Sequence, residues 1–80
     1  MLSTTGLDTA AVGDVVARFA RVHPPYSPEA HLYRDLGIES VQVLHLLLAL
    51  EAEFAVVLDD RRFVTAATIV ELARLIGEAR

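Results

Sequence analysis

The stretch Ser40-Val41-Gln42-Val43-Leu44-His45-Leu46-Leu47-Leu48-Ala49-Leu50-Glu51-Ala52-Glu53-Phe54 decides the fold. It contains no Gly and no Pro, and it predicts a helix from Ser40 to about Phe54. At roughly 100° per residue, Val43, Leu46, Leu47, Leu50 and Phe54 gather within about 100° of arc. That is enough for a core face. Val41, Leu44 and Leu48 gather on the opposite side, flanked by Gln42, His45, Glu51 and Ala52. A helix that is apolar on two faces is either enclosed or presents a binding surface. Three helices of this length have difficulty burying both faces of one of them, which favours an exposed strip of Val41, Leu44 and Leu48. The alternative is that Leu44 and Leu48 pack beneath a loop, and periodicity alone does not separate the two.

Upstream, Asp8 or Thr9 can cap a first helix. Val12, Val15, Val16 and Phe19 fall on one face of it. Arg18 and Arg21 then sit in its last turns, where cations favour the helix dipole. His23-Pro24-Pro25 stops it, because a residue before proline is pushed out of the helical region. Met1 to Gly6 reads as a polar, frayed lead. Residues 23–39 form a long connection punctuated by Pro24, Pro25, Pro28 and Gly37, with one short helical turn started by Ser27-Pro28. Leu32, Tyr33, Leu36 and Ile38 pin it to the core. A loop this long in a small helical domain is often functional.

Downstream, Leu58 to Val64 holds a short helix opened by Asp59 or Asp60. Thr65 to Gly77 holds the last helix, where Thr68 and Glu71 make a capping box. Ile69, Leu72, Ala73 and Ile76 form its inward stripe. No repeat and no sustained strand pattern is visible. The fold class is all-α, a small bundle of three main helices and one short one.

The 80 residues suffice for a single domain, with 54% of the chain apolar. There is no cysteine, hence no disulfide and no thiolate metal site. All seven basic residues are arginine, against 11 acidic ones, for a net charge of −4. That balance argues against nucleic acid, whose backbone needs clustered positive charge. The apolar run Leu46 to Leu50, which no other run exceeds, is too short to span a bilayer. No signal peptide is visible in Met1 to Asp14, so a cytoplasmic location is expected. His23, His31 and His45 lack the spacing of a metal site. Without a catalytic constellation, an enzyme is not expected.

The run Asp35-Leu36-Gly37-Ile38-Glu39-Ser40-Val41 resembles the D-x-G-x-x-S signature of the acyl and peptidyl carrier protein family. The likeness continues through Leu46 to Phe54, similar to the Leu-Glu-x-x-Phe end of the family's second helix, and through Thr68-Ile69-Val70-Glu71-Leu72-Ala73 at the start of its last. It covers roughly residues 8–77, in the family's order of helix, long loop, serine-led helix, short helix and final helix. The resemblance implies one carrier domain over residues 1–80. It implies a 4′-phosphopantetheine arm on Ser40, taken from coenzyme A by a phosphopantetheinyl transferase, with Asp35, Gly37 and Glu39 as flanking motif. The arm's thiol would hold acyl, aminoacyl or peptidyl thioesters for loading and processing enzymes of acyl-activating ligase, acyltransferase or ketosynthase type. Val41, Leu44, His45, Leu48 and Glu51 would meet those partners, and a monomer is expected.

Elementary chemistry fits this reading. A serine at a helix N-terminus places a phosphodiester where backbone N–H groups favour an anion, and Gly37 permits a tight turn before it. The plain reading of Ser40 is a helix cap worth about 1 kcal/mol. Two departures stand out. Glu39 replaces the family's more usual Asp, and Gln42, His45 and Ala52 stand where carriers of primary fatty acid synthesis often have carboxylates. They point to a specialised pathway, such as polyketide, nonribosomal peptide or modified-lipid synthesis. The alternative function is an unmodified helical interaction module with a carrier-like fold. The plain reading of His45 is a solvated helix residue.

Overall fold

The computed structural model describes residues 9–80. The frayed lead expected over Met1 to Gly6, and Asp8 as a cap, lie outside the described residues. Four helices follow in order: α1 (Thr9–Val16), α2 (Val43–Phe54), α3 (Asp60–Thr65) and α4 (Ile69–Ala79), with a 3₁₀ turn at Ser40–Gln42 running into α2. The all-α class holds, and no strand occurs among the described residues.

α1 packs against both α2 and α4, and α3 packs against α4. The core collects most of the expected faces: Val12, Val15 and Val16 from α1, Leu46, Leu47 and Leu50 from α2, and Ile69, Leu72, Ala73 and Ile76 from α4, while Phe19, Val43 and Phe54 are only partly buried; Phe63 from α3 joins them. Leu32, Leu36 and Ile38 of the long connection are as buried as any helix residue, while Tyr33 is half-buried. No polar side chain is buried among the described residues, so the core carries no desolvation penalty of that kind.

Three boundaries depart from expectation. α1 ends at Val16, well before His23-Pro24-Pro25. Beyond it the hydrogen bonds tighten, with Arg18 N–H donating to Val15 O and Phe19 N–H to Val16 O, so the turn closes and the chain leaves the axis. The release frees Arg21 N–H to bond Leu36 O at 2.8 Å, which docks this segment on the long connection. Arg18 and Arg21 therefore lie outside the helix and do not meet its dipole.

The last helix begins at Ile69, not Thr65, which ends α3. Residues 66–68 are needed elsewhere: Leu32 N–H donates to Ala67 O at 2.8 Å, and His31 and Thr68 form an antiparallel bridge. The expected capping box is present, with Thr68 Oγ1 accepting from Glu71 N–H and Glu71 Oε1 accepting from Thr68 N–H. Asp59 caps α3 by accepting from the N–H groups of Arg61 and Arg62. The helical turn expected at Ser27-Pro28 is a single turn closed by Ala30 N–H on Ser27 O. Pro28 O then accepts from Val70 N–H, so the loop also satisfies one of the free donors of α4.

Third, Ser40 does not open α2 directly. It is the first residue of the 3₁₀ turn, and Glu39 holds the cap position.

Candidate functional site around Ser40

The site is built from the lead 31–39 and the helix that follows. His31 organises the lead. Its N–H donates to Asp35 Oδ2 at 2.8 Å, and its carbonyl accepts from the N–H groups of Asp35 and Leu36. Its ring Nδ1 accepts from Tyr33 and Arg34 N–H at 3.2 and 3.1 Å. Asp35 thus acts on the turn and not on the serine. Leu36 and Ile38 anchor the following residues in the core, and Ile38 N–H donates to Leu32 O.

Gly37 lies between these anchors at φ +75°. For an L-residue that region costs about 1–2 kcal/mol. Space is short as well, since a Cβ here would meet Cβ, Cγ and Cδ of Arg21 at 3.1 Å. The positive φ therefore calls for glycine before the serine, and the close Arg21 side chain adds to the cost of any substitute.

Glu39 is extended, at φ −88° and ψ 151°. Its N–H donates to Gln42 Oε1 at 3.1 Å and its carbonyl accepts from Gln42 N–H at 2.8 Å, which closes the 3₁₀ turn. Its carboxylate pairs with the Arg21 guanidinium.

Ser40 is exposed. Its carbonyl accepts from Val43 N–H, but its hydroxyl makes no hydrogen bond among the described residues. A capping serine would spend that hydroxyl on a backbone N–H two or three residues on; this one does not. As the opening residues of a helical segment, Ser40 and Val41 have N–H groups with no intrahelical carbonyl to reach. A free hydroxyl with free donors beside it suits a phosphodiester, so the residues present fit a phosphopantetheine arm.

Val41, Leu44 and Leu48 are exposed to 77%, 60% and 53%, so Leu44 and Leu48 do not pack beneath the long connection. His45 is exposed beside them. Glu51 is placed differently. It is half-buried, and its Oε2 accepts from Leu58 N–H at 2.8 Å. Its carbonyl also accepts from Ala55 N–H, where the chain turns left-handed at φ 55°, and from Val56 N–H. Glu51 thus ties off the end of α2.

The carboxylates of the serine-led segment share one property. Glu39 pairs with Arg21, Glu51 caps Leu58, and Glu53 pairs with Arg18 at 3.4 Å. All three are engaged within the chain. Arg18, Arg21 and His31 carry much of this geometry, and sequence reading missed those roles. Periodicity carries no signal for them, because an ion pair spanning eighteen residues, such as Arg21 with Glu39, depends on how the loop closes.

A comparison with known families bears on this geometry: a family model described as phosphopantetheine attachment site matches residues 10–76.

Proposed function

Because the chain belongs to the phosphopantetheine attachment site family, whose domains are carriers and not enzymes and bear a covalent 4′-phosphopantetheine arm, we propose that Ser40 is where the arm is joined. The observation that carries this reading is the exposed Ser40 hydroxyl, which has no capping work to do. In the joining step the Ser40 Oγ–P bond forms and the pyrophosphate bond of coenzyme A breaks. Adenosine 3′,5′-bisphosphate leaves, and the hydroxyl proton passes to a base of the transferase. Once attached, the arm supplies the thiol that a chain without cysteine lacks. Tethering raises the effective concentration of the cargo at each partner site.

The chain acts as a carrier domain, monomeric and cytoplasmic. It is loaded and unloaded by separate enzymes of ligase, acyltransferase or ketosynthase type. Val41, Leu44, His45 and Leu48 form the surface that those enzymes meet, with Glu51 at its edge. The committed carboxylates support a specialised pathway of polyketide, nonribosomal peptide or modified-lipid type, because a partner reading free acids on this helix finds few.

Mass spectrometry tests the attachment point. Purified protein incubated with coenzyme A, Mg²⁺ and a broad-specificity phosphopantetheinyl transferase gains one arm, and Ser40→Ala gains none. If several transferases leave the wild-type mass unchanged, the Ser40 reading fails and the unmodified interaction module takes its place.

A further inference from the structure

Arg21 lies outside the signature run, on the chain that leaves α1, yet it touches three of the four residues that lead into Ser40. Its N–H donates to Leu36 O at 2.8 Å. Its side chain crosses Gly37 closely enough that a Cβ there would sit 3.1 Å from Cβ, Cγ and Cδ. Its Nη2 then pairs with Glu39 Oε2. The fourth residue, Ile38, is held by the core. The lead is therefore fixed from beneath by apolar packing and from outside by one residue, through its backbone N–H at Leu36 and its side chain at Gly37 and Glu39.

We propose that Arg21 is a positioning residue for the modification of Ser40: it clasps the lead 36–39 so that the free serine hydroxyl is presented in one place. The inference rests on Ser40 being the attachment point. Its physical basis is the sensitivity of group transfer to the placement of the nucleophile, where a shift on the order of 1 Å costs large factors in rate. Leu36, Gly37 and Glu39 are the backbone on which the hydroxyl is mounted. Loss of the clasp leaves Ile38 buried but frees Glu39 and the peptide that follows it.

Arg21 and Glu39 keep 71% and 53% of their side-chain surface exposed. An exposed pair contributes little to stability, so a positioning effect is separable from unfolding. The pairing also quenches the negative charge immediately before the serine. A transferase that required a free carboxylate there would work faster once Arg21 was removed, so the direction of the effect distinguishes a clasp from a mask.

Steady-state kinetics of arm transfer provide the test, followed by mass spectrometry with coenzyme A as donor. Wild type is compared with Arg21→Ala, Arg21→Met, which keeps the apolar stem over Gly37, and Arg21→Lys, which keeps the charge. The expected result is a roughly two- to tenfold fall in kcat for Arg21→Ala with KM little changed. Arg21→Met should fall between Arg21→Ala and wild type, and Arg21→Lys should recover most of the rate. Urea midpoints of all three should stay near wild type. An Arg21→Ala kcat at or above wild type overturns the proposal. So does a rise in KM alone, which would make Arg21 a contact for the transferase, and so does an Arg21→Lys variant as slow as Arg21→Ala. An unmodified wild-type protein is a different outcome, because it removes the Ser40 reading itself.

Discussion

The two faces of the serine-led helix are made from the same kinds of side chain and do opposite work. Leu46, Leu47 and Leu50 are at most 5% exposed, whereas Leu44 and Leu48 are more than half exposed. Hydropathy assigns all five to the interior. What separates them is which side of α2 faces α1 and the buried lead. Burial of a leucine stabilises by about 1.5–3 kcal/mol, and the outer pair forgoes that. Chemistry on the outer side is thus bound to some other surface, while the inner side holds the domain together.

Substitution by alanine breaks or sharpens this contrast most directly. Leu50→Ala opens a cavity at a fully buried position and should destabilise by about 2–5 kcal/mol. A domain of this length has roughly 4–12 kcal/mol in total, so the variant should be largely unfolded at elevated temperature. Leu44→Ala should stay within about 0.5 kcal/mol of wild type. Urea denaturation followed by circular dichroism measures both. Equal losses at the two positions would mean that the outer face is packed.

The lead before the serine extends the comparison. Unlike the helix it enters, it is restrained on both sides, by the core at Leu36 and Ile38 and by Arg21 outside. Gly37→Ala places a Cβ at positive φ against the Arg21 side chain. The expected loss is about 1–2 kcal/mol, far more than an ordinary surface alanine. An unchanged urea midpoint would show that the lead relaxes freely, and would weaken the contrast between a fixed lead and an open helix face.

What was legible in the sequence follows the same division. Elements with a strong local cause were readable: the Thr68–Glu71 box, a cap at Asp59 or Asp60, the inner stripe of α2, and glycine at 37. The resemblance of 35–41 and its neighbours located the serine. Periodicity carried α1 too far, because Phe19 sits in register with Val12, Val15 and Val16 although the helix has already tightened into 3₁₀ bonds. Nothing local marks residues 66–68 as extended either, since their partners are His31 and Leu32. The commitment of Glu39, Glu51 and Glu53 was equally hidden. Glu39, Glu51 and Glu53 look alike in sequence, and only the closed loop brings Arg21, Leu58 N–H and Arg18 to them.

That commitment changes what partners should sense on the outer face. Leu44→Glu puts a charge in the centre of the strip and leaves α2 intact. Cargo loading by a cognate enzyme should fall on the order of tenfold in kcat/KM, the scale of one desolvated leucine, while far-ultraviolet circular dichroism stays near wild type. Loading of the wild-type protein should also change little between low and high salt, because no free carboxylate row is left to be screened. A steep salt dependence would mean that partners read charge here after all. A loss of helicity in Leu44→Glu would place Leu44 in the core.

The smallest effect is expected far from the serine, at the box that starts α4. The Glu71 carboxyl is held below its ordinary value, chiefly because its carboxylate accepts the Ala67 N–H at 2.6 Å; desolvation opposes this, and the Thr68 hydrogen bonds and the nearby Arg74 add to the lowering. With the folded value depressed, the unfolded chain binds the proton more readily. Glu71 therefore adds stability above the usual carboxylate range and loses it as pH falls through the folded value. The group is open to solvent, so the contribution is screened and small. Glu71→Gln keeps an oxygen acceptor and removes the charge. It should lower the urea midpoint slightly at neutral pH and flatten the decline in stability below about pH 4.5. The strip variants should keep the full acid slope, because the loop-to-helix corner and the outer face of α2 are held by separate contacts. If Leu44→Ala flattened it as well, the two regions would be coupled and the division between a structural and a presenting side would be less sharp than the contacts indicate.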